Sequence, residues 1–196
     1  TLTNSLLGEE RNIVSNIPGT TRDSIHTHYN KFNREFTLVD TAGIRKKRKV
    51  FDDLEFYSVV RALRAIDYSD VCWLVLDAER GIEAQDVQIA REVLDRKKGL
   101  IILVNKWDAV EKDTKTHLDY EAHIRAKLAP MNDIPILFIS ALEKQRLIKV
   151  IDSSFRVYEN LNKRLNTAVL NKELLPHLIS HHPPSSGGRM VKIKYI

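Results

Sequence analysis

One cysteine among 196 residues leaves the chain without an internal disulfide. Cys72 sits inside the apolar run Val71-Cys72-Trp73-Leu74-Val75-Leu76, where it reads as a small core residue. A lone thiol fits a reducing compartment. No apolar run approaches the roughly 20 residues that a membrane-spanning helix requires. No signal-peptide pattern opens the chain, and no internal repeat is visible. His181-His182 has no third or fourth ligand evident, so a solvated linker explains the pair better than a metal does. With 43% hydrophobic and 29% charged residues, the composition excludes global disorder. The net charge of +5 permits a nucleic-acid partner without establishing one.

What is present is an ordered series of elements. Thr1 to Leu7 reads as the end of a helix that Gly8 stops. Ser24 to Lys31 alternates like an exposed strand. A turn near Asn33-Arg34 joins it to the strand Glu35 to Asp40 as a hairpin. A helix is expected from Asp53 to Asp67. Val71 to Asp77, Leu100 to Val104 and Ile134 to Ile139 read as buried strands. Helices over Ala84–Lys97, Thr116–Leu128 and Leu147–Leu161 alternate with them. Continuous apolar strands between helices imply a mostly parallel sheet covered on both faces, an α/β three-layer domain. Ligands then bind at the strand C-termini. After residue 165 the character changes. Thr167 can cap a helix to about Ser180, a Pro/Ser/Gly stretch follows, and Arg189 to Ile196 alternates as a strand. One helix and one strand make no independent core, so 166–196 reads as the start of a second domain.

Several strand ends carry chemistry. Asp40-Thr41-Ala42-Gly43-Ile44 places a carboxylate at a strand end, followed by a glycine amide. Such a pair suits a Mg²⁺–triphosphate site. In Asn105-Lys106-Trp107-Asp108 the aspartate can accept two hydrogen bonds from the N1–H and N2–H₂ edge of guanine. Adenine lacks that donor pair. The stem of Lys106 can cover one base face, and Asn105 can tie the loop to neighbouring backbone. Ser140-Ala141-Leu142 offers a small residue whose amide could meet the guanine carbonyl. In Pro18-Gly19-Thr20-Thr21-Arg22-Asp23, a threonine can bind Mg²⁺ and the terminal phosphate, and Thr21 is the preferred one. Each motif taken singly is also explained as an ordinary turn, loop or helix cap.

Taken together, Thr1-Leu2-Thr3-Asn4-Ser5-Leu6-Leu7-Gly8, Pro-Gly-Thr-Thr-Arg-Asp, Asp-Thr-Ala-Gly-Ile-Arg-Lys-Lys and Asn-Lys-Trp-Asp resemble the second GTPase domain of the tandem-GTPase family called Der or EngA. The tail Arg189 to Tyr195 is similar to the opening of that family's KH-like domain. The resemblance spans essentially the whole chain. It implies a Ras-like P-loop NTPase domain over 1–165 and an incomplete α/β KH-like segment over 166–196. It further implies a bacterial, cytoplasmic GTPase that acts in biogenesis of the large ribosomal subunit. Its ligands would be GTP or GDP and Mg²⁺. Its partners would be the large subunit and ribosomal RNA, with no membrane and no DNA. By the same resemblance Thr21 and Asp40 would hold the metal, and Thr21 and Gly43 would serve hydrolysis. Asp40, Thr41, Ala42, Gly43 and Ile44 would face the phosphates. Asn105, Lys106, Trp107 and Asp108 would read guanine, supported by Ser140, Ala141 and Leu142.

The chain departs from that pattern in lacking the Gly-x-x-x-x-Gly-Lys-Ser loop, and it reads as a fragment with the preceding mid-sheet strand also missing. A second reading follows from this: an RNA-binding fragment with little nucleotide affinity. Ile44 stands where many small GTPases carry a water-orienting Gln, and it cannot orient water by hydrogen bonding. The resemblance implies help from other groups, K⁺ among them. The run Arg45 to Lys49 is either a solvated segment or a contact for ribosomal RNA.

Overall fold

The computed structural model describes residues 2–8, 25–31, 33–40, 62–111, 113 and 115–181, apart from the side chains of Ile25 and Asp40. The expected loop 9–23, the motif 41–49, the start of the helix expected from Asp53 and the strand 189–196 lie outside these residues. The chain divides into two compact units, Thr1–Leu161 and Asn162–Ile196.

The first unit opens with helix α1, Leu2–Leu7. It ends at Gly8, whose φ of +72° is the left-handed conformation that suits a helix stop. Strands β1 (Ile25–Lys31) and β2 (Arg34–Asp40) form an antiparallel hairpin, with Ile25 opposite Asp40 and Lys31 opposite Arg34. Thr27 and Tyr29 point inward from β1, while His26, His28 and Asn30 point out. Tyr29 stacks on its cross-strand partner Phe36 with centroids 4.5 Å apart. Phe36 meets Phe155 edge-on at 6.1 Å.

Residues 62–68 are helical (α2). Then come β3 (Val71–Asp77), α3 (Ala84–Asp95), β4 (Gly99–Asn105), α4 (Thr116–Leu128), β5 (Ile136–Phe138) and α5 (Leu147–Asn162). Strands β3, β4 and β5 form a parallel sheet in that order. In β4 the alternation sorts side chains between two cores. Leu100, Ile102 and Val104 join a cluster with Ala90, Val93, Ile124, Leu128 and Phe138. Ile101 and Leu103 join one with Leu6, Leu7, Tyr29, Val150 and Ile151. Both faces of β4 are therefore covered, as its unbroken apolar run predicts.

Two expectations in this unit need correction. The run Val71–Asp77 forms a strand but is not buried throughout. Val75 is 41% exposed, and β3 has one strand neighbour among the described residues. The last strand, Ile136–Phe138, is shorter than Ile134–Ile139, and at its start Pro135 has no N–H to donate. The pairing nevertheless continues on either side, from Ile102 N to Pro135 O (2.9 Å) and from Ile139 N to Val104 O (2.8 Å).

In the second unit, helix α6 runs Thr167–Ser180. Its cap is Asn166 and not Thr167. Asn166 has extended backbone angles, so its side chain reaches forward to accept the Ala168 N–H at 2.8 Å.

Candidate functional site

The C-terminal ends of β3, β4 and β5 bring three short segments together. Asp77 and Asn105 are register partners at the ends of β3 and β4, and Ala78 N donates to Asn105 O at 2.9 Å. Beyond β5, Trp107 N donates to Ile139 O at 3.1 Å, so the 105–108 loop is laced to the last strand by backbone.

Each residue of that loop has its own task. Asn105 turns its side chain toward Ala141 and accepts that residue's N–H at Oδ1, 2.9 Å away. Lys106 has φ of +62°, a left-handed angle that lets the chain turn back after the strand, and Ala109 N closes the turn on Lys106 O at 3.1 Å. The Nζ of Lys106 lies 2.9 Å from Asp77 Oδ2. Trp107 is only 7% exposed, packed against Phe138 (4.4 Å between centroids) and edge-on to Tyr120 (5.4 Å). Its indole is committed to the core and anchors the loop from beneath. Asp108, next along, is exposed. An apolar anchor beneath an exposed carboxylate holds an acceptor in a fixed place at the rim.

The 140–146 segment forms the adjoining wall. Ser140 and Ala141 are each 1% exposed, whereas Leu142 projects to solvent. The Ser140 hydroxyl accepts the Glu143 N–H at 3.0 Å, and Gln145 N donates to Ser140 O at 2.9 Å. Ala141 is gripped at both ends of its backbone. Its N–H goes to Asn105, and its carbonyl accepts the Ser5 hydroxyl at 2.6 Å, which ties the wall to α1. The Ser140-Ala141-Leu142 segment is read from sequence as offering an amide to the guanine carbonyl, and of its amides that of Ala141 donates to Asn105.

Three contributors escaped sequence reasoning. Asp77 looked like a strand end, and Ser5 looked like one position on a short helix. Tyr120 is one position on the helix expected over Thr116–Leu128, and its hydroxyl donates to Ala78 O at 2.8 Å. Burial pushes the Tyr120 phenol up, and the negative charge of Asp77 adds to that. An acidic residue closing the neighbouring parallel strand was the one available signal for Asp77.

For the phosphate and metal side, the structure shows only that Asp40 closes β2 opposite Ile25. Its side chain, Thr21, and Thr41 to Ile44 lie outside the described residues. Among the described residues no group of three or more His, Cys, Asp or Glu is placed to hold a metal.

The fold and this loop geometry define the class. The chain superposes on a single-residue variant of Aquifex aeolicus Era, bound to GDP·AlF₄⁻, with a TM-score of 0.69 and 28% identity, covering 84% of this chain and 53% of that one. A structure of Era with MgGDPNP and nucleotides 1506–1542 of 16S ribosomal RNA gives the same values. The domain has the Ras-like P-loop GTPase fold. The family model described as 50S ribosome-binding GTPase matches residues 1–106, and the chain belongs to that family. The chain is 53% identical over its full length to GTPase Der of Bacteroides thetaiotaomicron. It is 55% identical over 192 residues, 98% of its length, to GTPase Der of Flavobacterium psychrophilum. It spans 45% and 44% of those proteins' lengths.

Proposed function

We propose that this chain is the guanine-nucleotide-binding part of a GTP-hydrolysing switch that acts in assembly of the large ribosomal subunit. One observation carries the reading. Asn105 and Ala141 clamp the two base-side loops together, with Trp107 buried below and Asp108 exposed at the rim. An aspartate so held satisfies guanine's paired donors and is left unsatisfied by adenine. The stem of Lys106 covers a base face. Ser140, Ala141 and Leu142 form the second wall.

Thr21 and Asp40 are the residues proposed to hold Mg²⁺, which when bound neutralises phosphate charge. Gly43, with Thr41, Ala42 and Ile44, would sense the terminal phosphate. Release of Thr21 and Gly43 on hydrolysis would then alter the surface offered to RNA. The basic run Arg45–Lys49 and the 166–196 segment, read as the start of a KH-like domain, are the proposed RNA contacts. The family name, 50S ribosome-binding GTPase, and the 16S RNA bound to Era support a ribosomal partner. A cytoplasmic location follows from that partner. K⁺ is a further proposed cofactor, tested by comparing turnover in K⁺ and Na⁺.

The test is calorimetric titration of the full-length protein with GDP and with ADP, both with Mg²⁺. Binding of GDP and not ADP, with one GDP site lost in Asp108→Ala, supports the reading. Equal binding of both, binding of neither, or an Asp108→Ala variant that keeps every GDP site overturns it in favour of an RNA-binding segment with little nucleotide affinity.

A further inference from the structure

We propose that Asp77 is a positioning residue that pins Lys106 across the base-side loop. The inference rests on the guanine-site reading for its consequence, but its geometry stands apart from it. The carboxylate of Asp77 is 8% exposed and sits at the C-terminal end of β3. Both of its oxygens have assigned work. Oδ1 accepts the Glu79 N–H at 3.1 Å, and Oδ2 faces Lys106 Nζ at 2.9 Å. Lys106 is 55% exposed and follows β4 with a left-handed backbone angle.

A buried acid opposite an exposed base is not an ordinary surface pair. In an exposed pair, both long side chains lose freedom for little gain. Here the acid is buried and already accepts the Glu79 N–H, so the contact orders chiefly the long Lys106 side chain. Its Cα is fixed by the loop turn and its Nζ by β3, so the methylene stem is stretched between the two. A stem held at both ends is a preformed wall for a planar ligand, and preorganisation of that kind raises affinity without adding a contact. The backbone tie between Ala78 N and Asn105 O keeps the two strand ends in register.

The experiment is a double-mutant cycle in the full-length protein. GDP affinity is measured by calorimetry for Asp77→Asn, Lys106→Met and the double variant. Amide heteronuclear relaxation of Lys106 and Trp107 is measured without nucleotide. Asp77→Asn is expected to weaken GDP binding about tenfold, to have no further effect once Lys106 is Met, and to loosen the Lys106 amide. Asp77→Glu, which keeps the charge, is expected to restore more than half of the affinity lost in Asp77→Asn, and it serves as the second variant should that one not fold. An equal loss on the Lys106→Met background, or no change in either affinity or relaxation, overturns the proposal. If the wild type binds no GDP while Asp77→Asn still loosens Lys106, the guanine reading falls and the positioning role stands.

Discussion

The side chain of Asn105 accepts the backbone N–H of Ala141 at 2.9 Å, across 36 positions of sequence. One amide joins the ends of two parallel strands, and the same Ala141 passes the link on to Ser5 through its carbonyl. The base-side loops are therefore one mechanical unit.

Removing that amide should uncouple them. Asn105→Ala leaves the Ala141 N–H, which is buried, without its acceptor, at a cost of about 1–3 kcal/mol. Thermal unfolding should show a drop in Tm of several degrees. GDP affinity should fall about tenfold or more, because the Ser140–Leu142 wall is no longer held against the Asp108 loop.

Asp108 is predicted to set base choice. An asparagine in its place offers one donor and one acceptor where guanine needs two acceptors. Asp108→Asn should lose about 100-fold or more in GDP affinity and gain affinity for xanthosine diphosphate, whose C2 carbonyl matches the new donor. Competition binding with the two nucleotides checks this.

Gly99 is predicted to matter for stability alone. A Cβ there would lie 2.6 Å from Val157 Cγ1 and 3.0 Å from Val71 Cγ2. Gly99→Ala should destabilise the domain by about 1–3 kcal/mol in a denaturant melt. It stands at the opposite end of β4 from Asn105, so GDP affinity should be unchanged in the folded fraction.

Cys72 gives a pH test. Burial pushes its thiol up to about 11, with Lys98 pulling weakly the other way. The unfolded chain ionises near 9 while the folded chain still holds its proton. Stability linked to Cys72 is thus fully present below about pH 9 and is lost as pH rises toward 11, by about 2–3 kcal/mol. Denaturant unfolding at about pH 8 and about pH 10.5 should show this loss in the wild type and not in Cys72→Ala, relative to each protein's other titrations. Alkylation of Cys72 at about pH 8 should be slow for the same reason.

Much of the proposed site's framework was legible because strand patterning is local. Asn105 to Asp108 and Ser140 to Leu142 follow apolar runs that can only be buried strands, and parallel strands deliver their C-termini to one edge. The helix over Thr116–Leu128 and the hairpin turn at Asn33 were legible for a similar reason, as spacing and turn chemistry act over a few residues. The cap of α6 was misplaced by one residue. Asn and Thr both cap, and only the backbone angle of Asn166 decides between them.

The sequence by itself determined which segments stand at the strand ends, and with them the proposed guanine reading of Asp108, because binary patterning and a carboxylate's hydrogen-bonding capacity need no neighbours to be read. Tertiary structure alone decided which distant residues meet around these loops. Asp77 meets Lys106 over 29 positions and Ser5 meets Ala141 over 136. Trp107 proves to be an anchor, packed against Phe138 and Tyr120. Val75, apolar and expected inside, is 41% exposed. Contacts between residues far apart in the chain depend on which strands become neighbours, and no local pattern encodes that.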